Sequence, residues 1–162
     1  MKKGFTLIEL LAVIGIIMLL AALMFPVLRK AMEAGHRAKA KADVKQLDTA
    51  FKAVLLDYRV FEAGLNPGGS GQDVDVGKVN YLRGGASGNS KGVVYMEFDP
   101  VSVAGGFMDP WKSLYRIALK NSTAGEAVTI TVGSETVARQ VATWSKGLDK
   151  TEGTADDIKS WE

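Results

Sequence analysis

Hydrophobic and polar positions change their pattern several times along the chain. From Phe5 to Leu28, 24 residues run with only Thr6 and Glu9 as polar side chains. At about 1.5 Å per residue a helix of that length reaches roughly 36 Å, enough to cross a hydrocarbon core of about 30 Å. Ala31, Ala34, Ala38 and Ala42 follow, good helix formers kept soluble by Arg29, Lys30, Arg37, Lys39 and Lys41. Val44, Leu47, Phe51, Val54, Leu55 and Tyr58 then recur at three- and four-residue spacing as one apolar stripe. The pattern predicts a stem helix over 5–62, apolar all round in its transmembrane part (5–28) and amphipathic in its second half. That second half should pack on a globular head, 63–162. Pro26 removes one helical hydrogen bond near the end of the apolar run, so a kink or a local melt is expected there.

Between Gly64 and Gly92 nine glycines break the pattern too often for a long regular element. Strand-like alternation follows at 93–98, 114–119, 127–132 and 137–144. The connections 121–126 and 133–136 are short and each contains a glycine, which predicts hairpins and an antiparallel sheet with one face on the stem helix. The expected fold class is therefore α+β.

Composition narrows the function more by exclusion. A formal net charge of +2 with no basic stripe interleaved with aromatics gives no reason to expect nucleic acid. Without cysteine, disulfides and thiolate metal sites are out of reach, and the redox compartment stays open. The single histidine, His36, reads as a solvated helix residue. No Ser-His-Asp set, P-loop or dinucleotide glycine pattern is present, so no enzyme is expected. Asp73-Val-Asp75-Val-Gly77 fails the EF-hand spacing and lacks a closing bidentate glutamate.

Glu9 is the oddity in the apolar run. An ionisable group at that depth reads as functional, with a partner to be named. The run is longer than a signal-peptide core and is not closed by Ala-x-Ala, while the small residue Gly4 precedes it, so cleavage there would retain the anchor. The segment Lys3-Gly4-Phe5-Thr6-Leu7-Ile8-Glu9-Leu10 resembles the prepilin leader and cleavage box of type IV pilins and of type II secretion pseudopilins. The resemblance implies a leader over 1–4, cutting between Gly4 and Phe5 by prepilin peptidase, N-methylation of Phe5, and a role for Glu9 in assembly. It also implies the pilin fold and a proline-broken stem.

Asp109-Pro110-Trp111-Lys112-Ser113-Leu114-Tyr115 resembles the Asp-Pro-Trp-Gly-x-Pro-Tyr signature of major pseudopilins, with Lys112 and Leu114 in place of Gly and Pro. Asp-Pro starts a turn, and Trp111 and Tyr115 offer large apolar bodies to close the sheet on the helix. Between Asp149 and Asp157 lie four acids and one lysine, with Gly147 and Gly153 to bend the segment. Calcium takes six to eight oxygens on a curved loop. Asp149, Asp156, Asp157, the Thr154 hydroxyl and the carbonyls of Leu148 and Thr151 can supply them. The segment is similar to the calcium loop that closes the major pseudopilin, although Lys150 stands where glycine is usual and the loop is shorter than in many relatives.

The resemblance implies a structural subunit of a type II secretion pseudopilus. Its partners would be copies of itself in a helical filament, prepilin peptidase, an inner-membrane assembly platform and minor pseudopilins. The subunit would be held single-pass in the bacterial inner membrane with the head in the periplasm. Two other readings stand beside it: a type IV pilus subunit for adhesion, motility or DNA uptake, and a membrane-anchored binding module whose glycine-rich loop contacts a ligand. Positive-inside counting opposes this orientation, with Lys2 and Lys3 before the span and Arg29, Lys30, Arg37, Lys39, Lys41 and Lys45 after it. The cleavage box is the more specific signal.

Overall fold

The computed structural model describes residues 6–85, 88–99, 103–122 and 128–162. It is α+β. Helix α1, Leu7–Tyr58, runs 52 residues and contains Pro26 without ending there. Because Pro26 has no N–H, the Ala22 carbonyl loses its helical donor. Two compact units divide the chain, Met1–His36 and Arg37–Glu162. In the first, the large apolar side chains from Leu7 to Met32 are exposed on every side of the helix. Among the described residues α1 is one helix long and apolar enough to cross a membrane.

In the second unit the stripe read from the sequence forms the helix side of the core. Val44, Leu47, Phe51 and Val54 are fully buried, Leu55 and Tyr58 partly so, and Ala40 joins them one turn earlier. The helix ends sooner than 62, since Arg59 takes a left-handed conformation (φ 66°). A tertiary contact competes with the last turn. The Asn121 amide accepts from the Phe61 N–H (2.6 Å) and donates to the Phe61 carbonyl (3.0 Å). That drops the Phe61 ring into the core.

A single 3-10 turn, Ala63–Leu65, opens the glycine-rich stretch. Strand β1, Gln72–Asp73, and a seven-residue helix α2, Val76–Leu82, follow. Asp75 caps α2 by accepting from the Lys78 N–H at 3.0 Å. Next come β2, Arg116–Leu119, β3, Ile130–Val132, β4, Glu135–Val137, β5, Val141–Ser145, and β6, Ile158–Lys159. The order β1-β2-β5-β6 makes one antiparallel sheet, and β3-β4 pair separately.

Three strand expectations are corrected. Residues 93–98 are not a strand. The Tyr95 and Met96 N–H groups both donate to the Leu82 carbonyl at the end of α2, so they are spent on a helix terminus instead of a ladder. The candidate 137–144 splits in two, with an Arg139 N–H to Val137 carbonyl turn between β4 and β5. β2 and β3 do not pair as the expected hairpin, because β2 pairs with β1 and β5 and β3 with β4; most of the connection 121–126 lies outside the described residues. The start of the third candidate, Ala127, lies outside the described residues.

Alternation across β2 and β5 explains why both faces are buried. Ile117, Leu119 and Val141 point into the core shared with α1, while Ala118, Ala142 and Trp144 form a second cluster with Ile130 and Val132 of the β3-β4 hairpin and with Trp161. One face on the helix was expected; the hairpin covers the other. Three polar contacts hold the sheet and the residues flanking its strands to α1. The Tyr115 hydroxyl donates to Asp43 (2.8 Å), Thr143 Oγ1 to the Val44 carbonyl (2.9 Å), and Lys45 Nζ to the Ser160 carbonyl (2.6 Å).

Candidate functional site

At the amino end, Gly4 and Phe5 lie outside the described residues, so the scissile bond is placed by sequence. Glu9 sits in the first turn of α1. Its Oε2 accepts from the Thr6 N–H (2.8 Å) and from Thr6 Oγ1 (2.7 Å), and the Glu9 N–H reaches back to Thr6 Oγ1 at 3.3 Å. This reciprocal pair is a capping box: Thr6 is the N-cap and Glu9 the third helical residue. Sequence reasoning missed it, although Thr6-Leu7-Ile8-Glu9 has the Thr-x-x-Glu spacing that announces one. In the isolated subunit Glu9 therefore has a partner already, within its own chain.

At the carboxyl end, residues 146–157 form a loop whose base is closed by the β5–β6 pairs Ser145↔Ile158 and Trp144↔Lys159. Three of the four acids, Asp149, Asp156 and Asp157, accept from the loop's own backbone. Asp149 Oδ1 accepts from the Thr151 N–H (2.7 Å), and the Asp149 N–H donates to Asp156 Oδ2 (3.0 Å). Thr154 Oγ1 bonds Asp156 Oδ1 (2.6 Å) and the Thr151 carbonyl (3.2 Å). The Thr154 hydroxyl, followed by backbone N–H groups of Asp149 and Leu148, holds the Asp156 carboxyl below its ordinary range. Asp157 differs. Its Oδ2 accepts from the Gly153 N–H (2.7 Å), but its Oδ1 is buried with no hydrogen-bond partner. Burial pushes the Asp157 carboxyl up, and the charges of Asp156 and Asp149 push the same way.

The orphaned Asp157 oxygen is the observation that tests the donor set against a cation. A buried carboxylate oxygen without a donor is costly, and a hard cation would satisfy it. Among the described residues no group of three or more His, Cys, Asp or Glu side chains converges as a metal site. A cation here would thus rest on Asp157 with backbone and hydroxyl oxygens, the mixed set expected of Leu148, Thr151 and Thr154, with Asp149 and Asp156 close by.

Two supports of this loop were not anticipated. Arg116 Nη1 pairs with Asp73 (3.0 Å) and Nη2 with Glu152 (3.4 Å), tying β1, β2 and the loop together. Asp109, from the Asp-Pro-Trp turn, reaches Ser145 at the end of β5 (2.6 Å). Trp111 and Tyr115 of the same turn lie in the core with α1, as their size suggested.

Residues 1–25 match the family model of the prokaryotic N-terminal methylation motif. The chain carries a prepilin-type signal. That signal marks a type IV pilin-like substrate of prepilin peptidase and a structural subunit, and the apolar helix behind it marks membrane anchoring. No curated protein and no solved structure matches the chain.

Proposed function

We propose that the chain is a structural subunit of a type II secretion pseudopilus. It is stored single-pass in the inner membrane with its head in the periplasm, cut between Gly4 and Phe5, and methylated on Phe5. Polymerisation through α1 follows on an inner-membrane platform with minor pseudopilins. The observation that carries this reading is the methylation signal running directly into a helix whose apolar side chains are exposed all round. Such a surface needs either lipid or other copies of itself around it. In the filament Glu9 leaves its capping role and neutralises the Phe5 amino group of a neighbour, which fixes axial register because an unpaired charge in an apolar core is costly.

The absence of cysteine and the acidic loop closed by β6 favour the secretion pseudopilus over a type IV pilus. We assign calcium to that loop, held by Asp157 with the Thr154 hydroxyl and the Leu148 and Thr151 carbonyls, and with Asp149 and Asp156 lending negative charge nearby. It would supply charge neutralisation for the acids and cross-link the two limbs of the loop. Electron microscopy of cells expressing the chain at native level tests the filament reading. Short periplasmic filaments are expected; long surface fibres would identify a type IV pilus instead. For the metal, chelator should lower the melting temperature of the head in the full-length chain, and a melt indifferent to chelator would remove calcium.

A further inference from the structure

Asp109 and Ser145 are both buried, stand 36 residues apart in sequence, and meet at 2.6 Å where the loop leaves the sheet. The Asp109 carboxylate serves two sides. Oδ1 accepts from the Trp111 N–H (3.0 Å) and the Ser113 N–H (2.8 Å), which shapes the turn after Pro110. Oδ2 accepts the Ser145 hydroxyl proton, which leaves the Ser145 oxygen lone pairs to receive the Gly147 N–H at 3.1 Å. Gly147 is thereby held at φ 65°, and the Asp156 carbonyl and carboxylate fill the space a side chain would take there. The chain of contacts runs from Asp109 through Ser145 and Gly147 to Asp156.

We propose that Asp109 is a positioning residue for the C-terminal loop, orienting the Ser145 hydroxyl so that Gly147 and Asp156 close the acid-lined turn. The chemistry admits no neutral substitute. An asparagine has one acceptor oxygen and one donor nitrogen. With its oxygen towards Trp111 and Ser113 it presents N–H to Ser145, and the buried hydroxyl proton loses its acceptor. Turned round, it abandons the turn. The latch itself needs no cation; its effect on calcium affinity rests on the metal reading above.

The test uses the full-length chain in detergent, comparing wild type with Ser145→Ala and Asp109→Asn. Amide hydrogen exchange is followed in chelator, and calcium binding by calorimetric titration. In both variants the Gly147, Asp149 and Gly153 amides should exchange at least about tenfold faster, while Ile117 and Ala142 in the sheet stay within roughly twofold. Calcium affinity should fall by about tenfold or more, as for loss of an outer-shell support. Unchanged loop amides in Ser145→Ala would overturn the proposal. So would sheet amides that accelerate in step with the loop, since that pattern is general destabilisation. If Asp109→Asn does not fold, Ser145→Ala, which removes only a hydroxyl, decides alone. If the wild type binds no calcium, the metal reading fails, and the exchange measured in chelator still decides the latch.

Discussion

Glu9→Ala is expected to abolish filament assembly while leaving membrane insertion and cleavage after Gly4 intact. The apolar run that inserts is unaffected by loss of one carboxylate, and insertion becomes more favourable without it. Assembly is different, because a neighbour's Phe5 amino group would then sit among apolar stems with no counter-charge. Two roles of Glu9 have to be separated, since its carboxylate also caps α1 through Thr6. Glu9→Gln does this. The glutamine amide oxygen can still accept from the Thr6 N–H, so the cap survives while the charge is lost. Subunits carrying Glu9→Gln should be inserted, helical from the first turn and unassembled. Normal filaments from this variant would show that Glu9 acts as a cap alone.

Gly147→Ala should be the most damaging single change in the C-terminal loop. A left-handed backbone costs a residue with Cβ roughly 1–2 kcal/mol. The added carbon would also overlap the Asp156 carbonyl and carboxylate, and overpacking of this kind costs typically about 1–3 kcal/mol. For a head of this size the two together correspond to a fall in melting temperature on the order of 10 °C. Gly153→Ala is the control. Gly153 is also left-handed (φ 88°), yet nothing lies within 4 Å of a Cβ there. It should show the conformational cost only. Equal melting temperatures for the two variants would mean that Asp156 does not press on residue 147 as the structure has it.

What the sequence disclosed, and what it hid, follows from the range over which each signal acts. The stem was legible because its periodicity is local: Val44, Leu47, Phe51 and Val54 sit where the stripe placed them. Its end was not, because the chain turns left-handed at Arg59 and Phe61 then bonds Asn121, sixty residues further on. Val93–Phe98 had the composition of a strand but lies against the end of α2, whose Leu82 carbonyl takes two of its N–H groups. The join between β4 and β5 carries neither glycine nor proline, so nothing in Val137-Ala138-Arg139-Gln140 announces a turn. At the sites, Glu9 and the acidic loop stood out by charge in unusual company. Their supports did not. The cap from Thr6 could have been read from spacing, whereas Arg116 with Glu152 and Asp109 with Ser145 meet only through the sheet.

Assembly through α1 depends first on the amino terminus being what its sequence says. Mass spectrometry of the amino-terminal peptide, from chain extracted from its native membrane, reads this directly. The expected peptide begins at Phe5, carries one added methyl group on its amino nitrogen, and lacks residues 1–4. A chain that retains Met1–Gly4 in mature membranes, or that is cut beyond Leu28 and so released from its stem, would contradict it.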